Sequence, residues 1–181
     1  MSPFLENTFI TDLGFGGGFA LWGFRAMAGG CGGCRTMRYG FNRAFSKNKN
    51  SLKWGQGDFI ALSAMKALAS FCRTLGENGK RKILLSESGT LRLTADEVSL
   101  VATLAAAQSN QIPLCRAHLL WLQGNDRTAA ACQAAQQYGL ICSEADIYIE
   151  EPRVEISQIS RNSPNAPDFG TLSAIHSDRL H

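Results

Sequence analysis

The chain has 181 residues, of which 45% are hydrophobic and 18% charged, and a formal net charge of +3. That much apolar material supplies a core and excludes a wholly disordered chain, and the length fits one domain with a tail. Charge is uneven. Residues 1–90 hold 12 Lys/Arg against 5 Asp/Glu, and residues 91–181 hold 6 against 10, so the basic front half attracts a polyanion or the acidic back half.

Ser2-Pro3 reads as a helix opening, a capping hydroxyl followed by proline at the first helical position. Phe4, Leu5, Phe9 and Leu13 continue it at three-to-four spacing up to Gly14. The apolar run Leu13–Phe24 is about 12 residues, where a bilayer span needs roughly 20. Glu6 and Asp12 precede it, where a secretory signal carries positive charge. The expectation is a cytoplasmic chain with no membrane span.

Residues 14–33 contain nine of the 18 glycines, yet Phe15, Phe19, Trp22 and Ala26 keep a helical spacing. Each interior glycine costs about 1 kcal/mol relative to alanine. A helix here is held by packing, with Gly16, Gly17 and Gly18 making room for a close neighbour.

Cys31-Gly-Gly-Cys34 has the spacing of a zinc knuckle or of a redox pair. Two thiolates are half of a tetrahedral zinc site, and Cys115 with His118, about 80 residues on, is the candidate second half. As a redox pair, the two cysteines precede an amphipathic stretch bearing Arg35 and Arg38, but no strand precedes them. The plain reading is a glycine loop with small residues packed in it. No export signal is present, so a disulfide framework is not expected. Cys72 and Cys132 sit in apolar helical contexts as buried thiols.

Arg35 to Phe45 forms an amphipathic helix, with Met37, Phe41 and Phe45 on one face and Arg35, Arg38 and Asn42 on another. A polar loop closes at Gly57. Between Leu13 and Gly57 there are seven Lys/Arg and no acid: Arg25, Arg35, Arg38, Arg43, Lys47, Lys49 and Lys53. Tyr39, Phe41, Phe45 and Trp54 are interleaved. Positive charge neutralises phosphates and aromatic faces stack on unpaired bases, so Arg35, Arg38, Tyr39, Arg43, Lys47, Lys49, Lys53 and Trp54 form the candidate binding segment. The competing reading makes the aromatics core and leaves the charges facing water.

Asp58 caps the next helix, whose Phe59, Leu62, Met65, Leu68, Cys72 and Leu75 mark it as central and largely buried, with Gly76 at its end. Residues 82–94 read as a small β-hairpin turning at Glu87-Ser88-Gly89. Thr94 to Glu97 matches a capping box for a helix to about Gln108. Two more helices follow, about Pro113 to Leu122 and about Arg127 to Tyr138, the last stopping at Gly139. Residues 145–151 suggest a third short strand, and 153–181 a flexible tail that carries His176 and His181.

Nothing in the sequence carries a complete catalytic constellation. The third glycine of a dinucleotide fingerprint beginning at Gly14 is replaced by Phe19, and phosphate-loop and nucleophile-elbow motifs are absent. The expected architecture is mainly α: a compact bundle of about six helices over residues 1–152 with a hairpin beside it. The expected function is a cytoplasmic protein–protein interaction or accessory module without catalysis of its own. The alternatives are nucleic-acid binding through residues 35–54, and a Cys/His protein using zinc or a thiol. No cofactor other than zinc is suggested.

Overall fold

The computed structural model describes residues 8–46, 56–87 and 89–152. Among them are six α-helices: α1 (Gly14–Ala26), α2 (Arg35–Phe45), α3 (Gln56–Asn78), α4 (Ala95–Gln108), α5 (Ile112–Gln123) and α6 (Ala129–Glu144). A 3-10 turn, Ile10–Leu13, leads into α1, and a π-type turn, Met27–Cys31, leaves it. The mainly helical expectation holds. The start, up to residue 7, of the helix expected from Pro3 to Gly14, the residues Lys47, Lys49, Lys53 and Trp54, and the tail from 153 lie outside the described residues. The described end of that helix is corrected, since Phe9 is extended and Gly14 begins α1.

The capping box forms as expected. Glu97 N donates to Thr94 Oγ1 at 3.1 Å and Thr94 N donates to Glu97 Oε2 at 2.9 Å. Every residue of α4 from Leu100 to Ala107 is buried, as an all-round apolar helix requires. It lies against α5, α6 and α1. The thorough burial expected of α3 belongs to α4, although α3 also touches α1, α2, α5 and α6. On α3, Ala61, Ala64, Ala67, Leu68, Phe71 and Leu75 are buried against the bundle, while Phe59 stays 73% exposed and Leu62 36% exposed. The stretch Phe59–Asn78 is, by length and composition alone, apolar enough to cross a membrane. Its buried side here packs on α2 and α6.

The hairpin expected over 82–94 is corrected. No strand forms among the described residues, and an isolated antiparallel bridge joins Phe9 to Arg92. Side chains take the place of a strand ladder. Leu84 N donates to Asp96 Oδ2 at 2.8 Å, Ser86 N to Glu97 Oε1 at 2.9 Å, and Thr94 Oγ1 to the Leu84 carbonyl at 2.7 Å. The strand expected at 145–151 fails for the same reason. Gln108 spans it, with Nε2 donating to the Ile147 carbonyl at 2.8 Å and Oε1 accepting from Ile149 N at 2.7 Å.

Two glycines let the backbone of one element meet the backbone of another. A Cβ on Gly16 would overlap the carbonyl oxygen of Tyr148, because the 147–150 segment crosses α1 there. A Cβ on Gly139 would lie 2.8 Å from Gln108 Cα. Gly139 is thus where α6 crosses α4 and does not end the helix, which continues to Glu144.

Candidate functional site

The basic segment divides by burial. Cys34 stands at the N-cap of α2 in an extended conformation, and α2 follows over the residues the pattern predicts. Met37, Phe41, Ala44 and Phe45 recur on one face and are buried. The Phe41 ring meets Phe19 edge-on at 4.9 Å and lies parallel to Phe45 at 6.0 Å. Two of the interleaved aromatics are therefore core, and neither is open to a base. The opposite face presents Arg35, Arg38, Tyr39, Asn42 and Arg43 to solvent, with Tyr39 64% exposed. Arg43 Nη1 is 3.5 Å from Tyr39 Oη. Among the described residues none of these three arginines pairs with a carboxylate.

A groove of about 260 Å³ runs beside this face, lined by Arg38, Phe41 and Asn42 of α2 and by Ala61, Leu62 and Met65 of α3. The contribution of α3 was missed in the sequence. Leu62 and Met65 fit the apolar spacing and read as core. The signal was the width of the apolar arc on α3, which exceeds what its neighbours cover. Phe59, one turn before Leu62, lies on the same uncovered side.

Arg25 has a different fate. It is 7% exposed, with Nε 2.7 Å from Glu97 Oε1 and Nη2 3.0 Å from Glu97 Oε2. Its Nη1 donates to the Thr90 carbonyl at 2.7 Å. This bidentate pair joins α1 to the first turn of α4. Beside it the buried Asp96 carboxylate accepts from Arg81 Nη2 and from Leu84 N. Asp96 and Glu97, which read as ordinary first-turn acids, thus pin the whole 81–94 segment. Burial works to raise the Glu97 pKa, but hydrogen bonds from Arg25, Thr94 N and Ser86 N outweigh it and hold the carboxyl below its usual value. An arginine inside an apolar run and a capping box were both visible in the sequence. Their pairing was not.

Cys31 and Cys34 are joined by a disulfide, which corrects the reading of these cysteines as unbridged small residues. Closing so short a loop restrains the unfolded chain by about 2 kcal/mol, against about 4.7 for a loop of roughly 100 residues. The four other cysteines are free, and Cys115, Cys132 and Cys142 are buried. Burial pushes the Cys72 and Cys142 thiols up to about 12. Cys115 is raised too, by burial and by the neighbouring Cys132. His118 is half-buried, and burial lowers its pKa. Among the described residues no group of three or more His, Cys, Asp or Glu side chains could hold a metal ion. Cys31, Cys34, Cys115 and His118 are not brought together as a set.

A larger cavity of about 540 Å³ lies between the end of α1, α3 and the 81–85 segment. Met27, Cys72, Leu75 and Ile83 line it, with the exposed Arg73 and Lys82. Comparison with protein-family models, with curated proteins and with solved structures finds no match.

Proposed function

We propose that the chain is a helical binding module whose α2–α3 face takes an acidic, amphipathic segment of a protein partner. One observation carries this reading: among the described residues three exposed arginines of α2 have no carboxylate partner, and one of them, Arg38, lines a groove with Leu62 and Met65 of α3. Carboxylates of the partner meet Arg35, Arg38 and Arg43, and an apolar side chain enters beside Leu62 and Met65. Arginine suits this role, because its planar fork matches a carboxylate. Exposed charge alone contributes little affinity, so the uncovered Leu62 and Phe59 supply the apolar anchor. Nucleic acid is the weaker reading. It needs several open aromatic faces, and Tyr39 alone on α2 offers one, since Phe41 and Phe45 are buried.

The test uses the full chain and two labelled probes in fluorescence anisotropy: a peptide with leucine on one helical face and glutamate on the other, and a single-stranded RNA. Measurements at about 50 mM and about 200 mM salt separate charge from apolar contact. Peptide binding that falls at least about tenfold in Leu62→Asp, and again in the Arg35→Ala/Arg38→Ala/Arg43→Ala triple variant, supports the reading. RNA binding that is lost in the triple variant but kept in Leu62→Asp assigns the face to nucleic acid. Absence of peptide binding at low salt, or binding indifferent to both variants, defeats the proposal.

A further inference from the structure

The disulfide sits at the head of α2, away from the groove residues, and its surroundings differ from those of every other cysteine. Gly29, Gly30, Gly32 and Gly33 around it are all exposed. A Cβ placed on Gly29, Gly30 or Gly33 would meet nothing within 4 Å, so the loop stands clear of the bundle. Cys31 lines a cavity of about 180 Å³ with Trp22, Ala26, Thr36 and Met37. Cys34 instead packs against the core and occupies the N-cap of α2, where its carbonyl accepts from Arg38 N at 3.0 Å.

We infer that Cys31–Cys34 is a thiol–disulfide exchange site that oxidises the dithiol of a peptide or protein substrate. The two sulfurs have different roles. A substrate thiolate attacks Cys31 Sγ, the sulfur beside the cavity. The Cys31–Cys34 bond breaks, a substrate–Cys31 disulfide forms, and Cys34 leaves as thiolate. The N-terminus of α2 and the adjacent Arg35 stabilise that anion, and a thiol of lower pKa leaves faster. The substrate's second thiolate then attacks its own sulfur in the mixed disulfide and expels Cys31. The substrate is oxidised to a disulfide, and this protein gains two electrons and two protons as a dithiol. A second disulfide compound, reacting in the reverse sense, restores the bridge.

The free cysteines provide an internal contrast. Burial holds the Cys72 and Cys142 thiols near 12, so neither forms the thiolate that exchange requires. The reaction shares Arg35 with the acidic-peptide contact of α2 but is separable from its groove, because a neutral substrate probe needs neither Leu62 nor the carboxylate contacts of Arg38 and Arg43.

The test incubates the full oxidised chain, without oxygen, with a neutral synthetic peptide carrying a Cys-x-x-Cys dithiol. Mass spectrometry follows both partners after alkylation. The expected result is peptide disulfide formed in step with two new alkylated sites, at Cys31 and Cys34 alone. Cys34→Ser should capture the oxidised peptide as a mixed disulfide on Cys31. In Cys31→Ser, alkylation of Cys34 by iodoacetamide should show a midpoint below the ordinary thiol value of about 8.5. Arg35→Glu keeps both cysteines, so it tests the mechanism even where a serine variant folds poorly, and it should slow exchange several-fold. Peptide oxidation no faster than with the Cys31→Ser/Cys34→Ser double variant overturns the inference. So does a Cys34 midpoint at or above the ordinary value.

Discussion

Arg25 and the arginines of α2 come from the same acid-free stretch of sequence, yet the fold uses them in opposite ways. Arg25 is enclosed, with each of its three guanidinium nitrogens bonded to Glu97 or to the Thr90 carbonyl. Arg35, Arg38 and Arg43 stand in water with no carboxylate among the described residues. A charge count along the chain weighs all four equally. Burial divides them into one arginine of a structural clamp and three exposed on α2. The contrast teaches that the charge available to a partner is what remains after the fold has satisfied its own buried acids.

The sharpest way to break the comparison is to remove one side of the clamp. Glu97→Gln leaves Arg25 buried without a counter-charge, and breaking a buried pair in this way costs about 3–5 kcal/mol. Denaturant unfolding of the purified chain should show a loss of that size, and a loss below about 1 kcal/mol would mean that Arg25 escapes to solvent. Asp96→Asn should cost less, about 1.5–3 kcal/mol, the usual worth of hydrogen bonds to a charged group. Its partner Arg81 is partly exposed, with 31% of its side chain open, and so recovers some hydration. Hydrogen exchange should speed up at Leu84 in Asp96→Asn and at Ser86 in Glu97→Gln, since these amides donate to the respective carboxylates.

Acid should reach the clamp selectively. Glu97 is held below its ordinary pKa in the folded chain, so the unfolded chain binds its proton first as pH falls. Its stabilising contribution is present in full above the ordinary glutamate value of about 4.3 and is lost as pH drops through the folded value. Unfolding free energy measured between about pH 6 and about pH 3 should therefore decline in the native chain. The decline should be visibly shallower in Glu97→Gln. Equal slopes in the two proteins would show that other carboxylates govern acid stability.

Much of the fold was legible because its signals are local. The capping box at Thr94 and Glu97 and the Arg35–Phe45 helix were read from a few neighbouring residues and formed where expected. The failures needed information from across the chain. Residues 82–94 have strand-like composition, but Asp96, Glu97 and Thr94 occupy the backbone groups a hairpin would pair. Gly139 looked like a helix stop, and only the position of Gln108 shows it to be a crossing point. The geometry of the candidate site was legible by half. The basic face of α2 followed from spacing. The α3 side of the groove did not, because no periodicity reveals which part of a wide apolar arc a neighbour will leave uncovered.

The smallest expected effect is the most telling for the free surface. Replacing Arg35, Arg38 and Arg43 with alanine removes no buried contact and no ion pair among the described residues. Alanine is also the better helix former. Each substitution should shift unfolding free energy by no more than about 0.5 kcal/mol, and the circular dichroism spectrum should not change. Affinity for the acidic peptide should fall in the same protein, and its dependence on salt should flatten. That combination, lost binding at unchanged stability, is what an exposed face without internal ion pairs requires. A triple variant that unfolds more easily would place these arginines with Arg25, as parts of the framework.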